Sequence, residues 1–395
     1  MSNLKVLYSF PLWITRAGGI PKTGYYQVSG LVKSGVQVIL YCGAILNPIK
    51  GLHSQKETLK FGKLKLPLGL LGTRRSAALH DRIVARNLRR IHDKDHIDIV
   101  HCWPSGALET LKIARELGIK TVLERPSAHT AYVFKVTEDE CKRLGVKLRG
   151  SHYAAFNKKV LVREESEFAA ADRLLCPSEF VVKTFLAKGF QEEHLLRHQY
   201  GYDPAIFSPP KPGSDKRDKS PFTVVYVGDC FPLKGLHFAL RAWVESKASK
   251  TGKFIICGRF VPQYKKLLKD YLAHPMVEYL GHVRDVERVM RCSHALVLPS
   301  LAEGSALVTY EARACGCVLL VSNAAGAVCE HNKDALVHKV GDITTLREHI
   351  DMLASDRNLL SRLHTNSLAS ISDLTWDKAA ESLIRAYQEC LNTTK

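Results

Sequence analysis

Residues 299–322 read PSLAEGSALVTYEARACGCVLLVS, and this stretch decides the fold. Just before it, Ala295 to Leu298 (ALVL) is a short apolar run closed by Pro299 and Ser300, the pattern of a buried parallel strand. Ala306 to Ala314 has the spacing of the helix that follows. Glu303, Gly304 and Ser305 therefore fall in a strand-to-helix connection. There Gly304 permits close backbone approach, and the free amides of a helix start, Ala306 included, hold phosphate oxygens. Glu311 lies about two turns into the helix. A carboxylate at that point repels phosphate but accepts hydrogen bonds from a ribose diol, while Glu303 is placed to address sugar hydroxyls. The expected ligand is a nucleotide sugar. Spacing alone leaves the other reading open, a loop carboxylate plus an exposed helical one.

Strand and helix alternate on both sides of this segment. Thr223 to Gly228 (TVVYVG) reads as a strand, followed by DCFPLKG and a helical pattern over Leu236 to Glu245. Lys234, leaving that loop, is a mobile point charge able to reach a diphosphate. Ile255 to Gly258 precedes Arg259, a second candidate base. Toward the N-terminus, Leu4 to Phe10, Val36 to Tyr41, Ile97 to His101, Thr121 to Glu124 and Arg173 to Cys176 are short apolar runs. Helical patterns cover Ser76 to His92, Gly106 to Leu117 and Glu164 to Ala171. This spacing is that of α/β folds built on parallel sheets. Gly18 and Gly19 follow the first strand, in a loop whose amides are able to approach a ligand oxygen. The chain of 395 residues suits two domains. The hinge is expected at Pro204 to Pro221, where proline, glycine, serine and charge concentrate.

From Gly281 through Asp342 the chain resembles the retaining glycosyltransferases of family four, the glycogen-synthase-like group. Their nucleotide-binding frame, PS..EG......EA.A.G, reads here PSLAEGSALVTYEARACG. Gly326 and Glu330 resemble the family's glycine-then-glutamate element, and Val340, Gly341 and Asp342 its usual strand ending. The resemblance implies a GT-B fold, with two Rossmann-like domains facing across a cleft. Residues 1–205 would be the acceptor-binding domain and 206–375 the nucleotide-sugar-binding domain. Residues 376–395 would form a helix crossing back to the first, with Trp376, Ile384 and Tyr387 as packing residues. It further implies transfer of a hexose to a glycan, lipid-linked or small hydroxylated acceptor by metal-independent front-side attack. The departing diphosphate would help take the acceptor proton.

In residue terms, the resemblance assigns Lys234, Glu303 and His129 to catalysis, His129 contacting the transferred sugar. Gly19, Lys234, Arg259, Glu303, Gly304, Ser305, Ala306 and Glu311 would bind donor, and His101, Arg74 and Arg75 would lie on the acceptor side. One departure stands out: Asp229 occupies the position where the family carries an arginine, exchanging a positive for a negative charge near the donor phosphates. A nucleotide-sugar 2-epimerase and a non-catalytic nucleotide-sugar-binding protein are the alternatives. A glycan phosphorylase would need a cofactor-lysine context that the chain lacks.

No Cys/His cluster has zinc spacing and no Asp-x-Asp metal motif is read, so no metal or other cofactor is expected beyond the nucleotide sugar as co-substrate. Eleven cysteines without disulfide-like regularity, with no signal peptide and no long apolar run, point to a reducing cytoplasm. Residues 1–200 carry 32 Lys and Arg against 18 Asp and Glu, a net of +14 within the chain's +18. Arg74, Arg75, Arg82, Arg86, Arg89 and Arg90, with Lys56, Lys60, Lys63 and Lys65 before them, form the densest cluster. It suits an anionic glycan, a lipid-linked acceptor or the inner face of a membrane held peripherally. Nucleic acid is not the expected partner, because no recognition helix, finger or aromatic platform accompanies the charge.

Overall fold

The computed structural model describes residues 4–61, 64–65, 72–211, 217 and 220–392, the side chains of 61, 64 and 65 excepted. In chain order the first strands and helices are β1 (Lys5–Ile14), α1 (Ile20–Lys33), β2 (Gln37–Ile45), β3 (Ser54–Glu57), β4 (Lys60–Phe61), β5 (Leu64–Lys65), α2 (Thr73–Asp95), β6 (Ile99–Cys102), α3 (Leu108–Glu116), β7 (Lys120–Glu124), α4 (Thr130–Leu144), α5 (Lys158–Ala170), β8 (Arg173–Cys176), α6 (Glu179–Leu186) and β9 (Leu195–Arg197). Next come β10 (Thr223–Val227), α7 (Leu236–Val244), β11 (Lys253–Cys257), α8 (Pro262–Leu267), α9 (Lys269–Leu272), β12 (Val277–Gly281), α10 (Val286–Arg291), β13 (Ala295–Leu298), α11 (Leu307–Ala314), β14 (Val318–Ser322), β15 (Ala335–His338), α12 (Ile343–Ser355), α13 (Arg357–Ala369) and α14 (Trp376–Asn392).

Two compact units form. The first holds residues 1–126, 157–200 and 376–395, and the second 127–156 and 201–375. In the first, seven parallel strands are ordered β3-β2-β1-β6-β7-β8-β9; in the second, six parallel strands are ordered β12-β11-β10-β13-β14-β15. Both orders reverse direction once, between β1 and β6 and between β10 and β13, which is the doubly wound Rossmann pattern. Helices cover the sheet faces, so central strands such as β6 (IVHC) and β13 (ALVL) are buried along their whole length. That is why they read as continuous apolar runs rather than alternating ones.

Two expected boundaries differ. Residues 127–156 lie in the second unit, held there by Glu140 of α4, whose carboxylate meets His237 at 2.7 Å, and by the Lys147 amide, which donates to Gln263. The segment expected as a hinge packs on the second unit wherever it is described. Phe207 is buried, the Ile206 carbonyl accepts from Arg291, and the buried Arg217 guanidinium donates to the Gly316 carbonyl at 2.6 Å. Lys63 lies outside the described residues.

Helix α14 belongs to the first unit. Trp376 stacks on Tyr26 with the rings 2° from parallel, and Ala380 sits so close to Gly30 that a Cβ there would lie 2.6 Å from the alanine methyl. Its Tyr387 hydroxyl meets His101 Nδ1 at 2.6 Å inside the core. Around them, the buried Glu124 carboxylate accepts from His198 Nε2 (2.9 Å), the Tyr200 hydroxyl (2.9 Å) and Gln27 (3.0 Å). Burial works against its charge, but the two histidines and the glutamine amide outweigh it and hold its pKa below the ordinary carboxylate value.

Candidate active site

The second unit's topological switch point is built by two loops, one after β10 (228–235) and one after β13 (299–306). Open α/β sheets bind ligands in the crevice at this point, beyond the carboxyl ends of the strands. The loops are knitted together, the Leu301 amide donating to the Leu233 carbonyl at 2.8 Å. Gly235, at φ +69°, lies so near that a Cβ would fall 2.1 Å from the Pro299 carbonyl oxygen.

This close approach places Lys234 Nζ 2.6 Å from Glu303 Oε1, across 69 residues of sequence. Ser300 Oγ donates to the same oxygen at 2.9 Å. Burial opposes the lysine's charge, yet Glu303, Tyr153 and Asp229 outweigh it and hold the ammonium's pKa above its ordinary range. Lys234 is therefore a fixed cation at physiological pH. Asp229 is exposed at the end of β10, its carbonyl accepting from the Tyr226 hydroxyl and its carboxylate within electrostatic reach of Lys234 and His152. Arg259 is exposed beside it, since its carbonyl accepts from the Cys230 amide.

The connection after β13 offers a ligand less than its sequence suggests. The amides of Glu303 and Ala306 are already bonded to the Ala324 and Ala325 carbonyls, so Ala306 is not a free helix-start donor. The Ser305 hydroxyl donates to the Gly326 carbonyl and meets the Tyr310 hydroxyl at 2.7 Å, which orders the loop. Glu311 is buried in α11. The following turn is fixed by buried Arg313, which bonds the Val328 carbonyl, Asp334, Ser367 and Ser370. Glu330 there is exposed and paired with Lys333.

Residues 127–156 bring side chains that the sequence did not signal. Tyr153 puts its hydroxyl against Lys234, and its ring meets Phe231 edge-on at 5.7 Å; the His152 ring lies 4.7 Å from Phe231. The stretch SHYAAF has no periodicity and no motif, so only the packing of 127–156 on this unit reveals it. His129 does not sit in an open loop. It is buried as the N-cap of α4, with Nδ1 accepting from the Ala131 amide at 3.2 Å.

In the first unit, Gly19 caps α1 in an exposed loop, with open space where a side chain would point. His101 is a correction: it is fully buried, bonded to Tyr387, and pulled down to about 3 by burial, so it belongs to the core and lines no acceptor surface. Arg74 and Arg75 are exposed in the first turn of α2. The sequence also holds an Asp-x-Asp triplet after all, Asp93–Lys94–Asp95. It closes α2, where Asp95 is taken up by His53 (3.0 Å) and Lys5 (3.6 Å).

Beside the strand ending resembled by Val340–Asp342, His338 is buried with neither ring nitrogen hydrogen-bonded, and its ring lies 6.5 Å from that of His349, itself 5.6 Å from His331. Burial, reinforced by repulsion from His349 in the first case and from His331 in the second, pulls His338 and His349 down to about 4 from 6.5. The folded state thus binds fewer protons than the unfolded one. Its stability should hold above about pH 6.5, fall as pH drops toward 4, and level off below. We expect a loss of about 2 kcal/mol or more between neutral pH and about pH 4.5 in urea denaturation. His338→Gln should flatten that slope, and an unchanged slope would remove the cluster as its cause.

Two family models match the chain almost end to end, Glycosyltransferase Family 4 over residues 17–205 and Glycosyl transferases group 1 over 209–389. The D-inositol 3-phosphate glycosyltransferase of Streptomyces bingchenggensis is 25% identical over 266 residues, covering 58% of this chain and 56% of that protein. The match thus spans little more than half of that relative. The UDP-Gal:alpha-D-GlcNAc-diphosphoundecaprenol alpha-1,3-galactosyltransferase of Escherichia coli is 25% identical over 306 residues, covering 72% and 74%. Among solved structures, sucrose-phosphate synthase from Thermosynechococcus elongatus superposes with a TM-score of 0.69 at 17% identity, over 98% of this chain and 99% of that one.

Proposed function

Because the chain belongs to family 4 of the glycosyltransferases and has their GT-B class of fold, we propose that it moves a hexose from a nucleoside diphosphate sugar to an acceptor hydroxyl with retention of configuration. The observation that carries this reading is the Lys234–Glu303 pair at the switch point of the second unit. Lys234 faces the diphosphate and Glu303 the sugar hydroxyls; Glu311 takes the ribose diol and His129 the transferred sugar. Arg259 and Gly304 bring further donors to the phosphates. In the transfer, the bond from the anomeric carbon to the phosphate oxygen breaks while the acceptor oxygen bonds the same face, and the acceptor proton passes to the departing diphosphate. Lys234 stabilises the charge that grows there. No metal enters this scheme.

The relatives' names support UDP as the first nucleotide to try and a small phosphorylated or lipid-linked acceptor. Among the described residues no helix is long and apolar enough to cross a membrane. The basic first domain supports a peripheral contact with an anionic surface.

Calorimetric titration with UDP-, GDP- and ADP-sugars tests the donor site. One nucleotide class should bind, and Glu311→Ala should weaken it about tenfold by removing the diol acceptor. No binding by any of the three would sink the reading. Asp229 favours one rival, a binding protein without turnover, and release of free nucleoside diphosphate in the presence of candidate acceptors separates the two.

A further inference from the structure

We infer that a groove on the first unit binds a phosphate-bearing ligand and, resting on the transfer reading above, that this phosphate or diphosphate belongs to the acceptor. The groove encloses about 640 Å³ between the starts of α2 and α5, with Leu108 at the head of α3 also lining it. Arg74 and Arg75 reach it from the first turn of α2, and Lys158 and Lys159 from the first turn of α5. None of these four has an acidic partner among the described residues, and no carboxylate lines the groove.

The placement runs against helix electrostatics. A helix start carries partial positive charge and favours acids in its first turn. Here α2 and α5 have no acid in that turn, and α2 has no side-chain cap either. Each puts two cations there instead, around one cavity. The neighbouring α3 does the reverse: Asp81 accepts from the Glu109 and Thr110 amides, and Glu167 from those of Ser105 and Ala107. Those same two carboxylates hold Arg163, which also lines the groove, at 2.6 and 3.0 Å. One helix start is thus neutralised from within, while two adjoining ones concentrate uncompensated positive charge that an external anion would balance. Exposed Val162, with Leu108, gives the groove an apolar wall for the organic part of a phosphate ester.

The test titrates the full chain with inorganic pyrophosphate and, separately, with vesicles of phosphatidylcholine alone or doped with phosphatidic acid. The wild type and the double variant Arg74→Glu with Lys158→Glu are compared, and the donor nucleotide is titrated into the same samples. Pyrophosphate should bind the wild type, more weakly as salt rises, and at least tenfold less tightly to the double variant, with nucleotide binding unchanged. If phosphatidic acid vesicles bind with the same dependence on the two residues, the source is a lipid-linked phosphate; if only pyrophosphate does, it is a soluble one. Absent pyrophosphate binding, equal binding by wild type and variant, or binding to vesicles alone would overturn the site. Such a failure with nucleotide binding intact leaves the transferase reading standing, whereas loss of nucleotide binding in the wild type defeats that reading itself. Lys159→Ala, a milder change on the other side of the groove, guards against misfolding of the double variant and should weaken pyrophosphate severalfold.

Discussion

Replacing Lys234 by alanine is expected to lower kcat/KM by about a thousandfold, or ~4 kcal/mol of transition-state stabilisation, the scale found for removing one preorganised charge-stabilising group. The effect is large because the lysine does two things at once. In the proposed transfer it would supply a cation to the departing diphosphate, and it neutralises Glu303, which it meets at 2.6 Å, in the presence of Asp229. Without it, two carboxylates would face the phosphates of the proposed donor from the loops after β10 and β13. Lys234→Arg keeps the charge, but its planar fork does not fit a site made for a compact ammonium, so only part of the rate should return. Single-turnover and steady-state assays on the preferred donor measure both variants. A value for Lys234→Ala within threefold of the wild type would mean that the pair is structural and that the chemistry lies elsewhere.

The second large effect is expected from Gly235→Ala. At φ +69° a side chain costs ~1–2 kcal/mol in the left-handed region, and a Cβ 2.1 Å from the Pro299 carbonyl oxygen adds a further ~1–3 kcal/mol of overpacking. Together they should lower the stability of the second unit by about 3–4 kcal/mol. Gly281→Ala is the control. It has nearly the same φ, +70°, but its Cβ would meet only the Tyr279 hydroxyl, at 4.0 Å, so the conformational part alone should appear. Urea denaturation of both variants separates the terms, and equal losses would show that the close approach of the two loops contributes nothing. Donor binding should fall with Gly235→Ala beyond what stability explains, since spreading the loops parts Lys234 from Glu303.

Much of the fold is legible in the sequence because a buried parallel strand is a local pattern. Thr223–Val227, Ala295–Leu298 and Arg173–Cys176 stand out as apolar runs, and their ends were readable to within a residue. The helices between them follow from 3.6-residue periodicity, though α4 hides behind ERPSAH because that approach is polar and the cap is a histidine. The frame around Glu303 and Glu311 was likewise readable, and so was Lys234 as a cation leaving a strand.

Burial and partnership were not readable, since they depend on which strands become neighbours. His101 and Arg74 are both polar residues in the basic half of the chain. Only the order of the first sheet decides that one lies inside against Tyr387 of the last helix and the other at a groove. Tyr153 reaches Lys234 because 127–156 packs on the second unit, a choice settled by contacts such as Glu140 with His237 that no short window contains. The amide of Ala306 looked free and is not, because the Ala325 carbonyl comes from the next loop of the sheet. Sequence by itself determined the alternation of strands and helices, the two-domain class and the candidate donor residues, each a property of neighbouring residues along the chain. The tertiary structure decided which of them meet, because hydrogen-bond satisfaction and exclusion of water are settled only when segments distant in sequence close on one another.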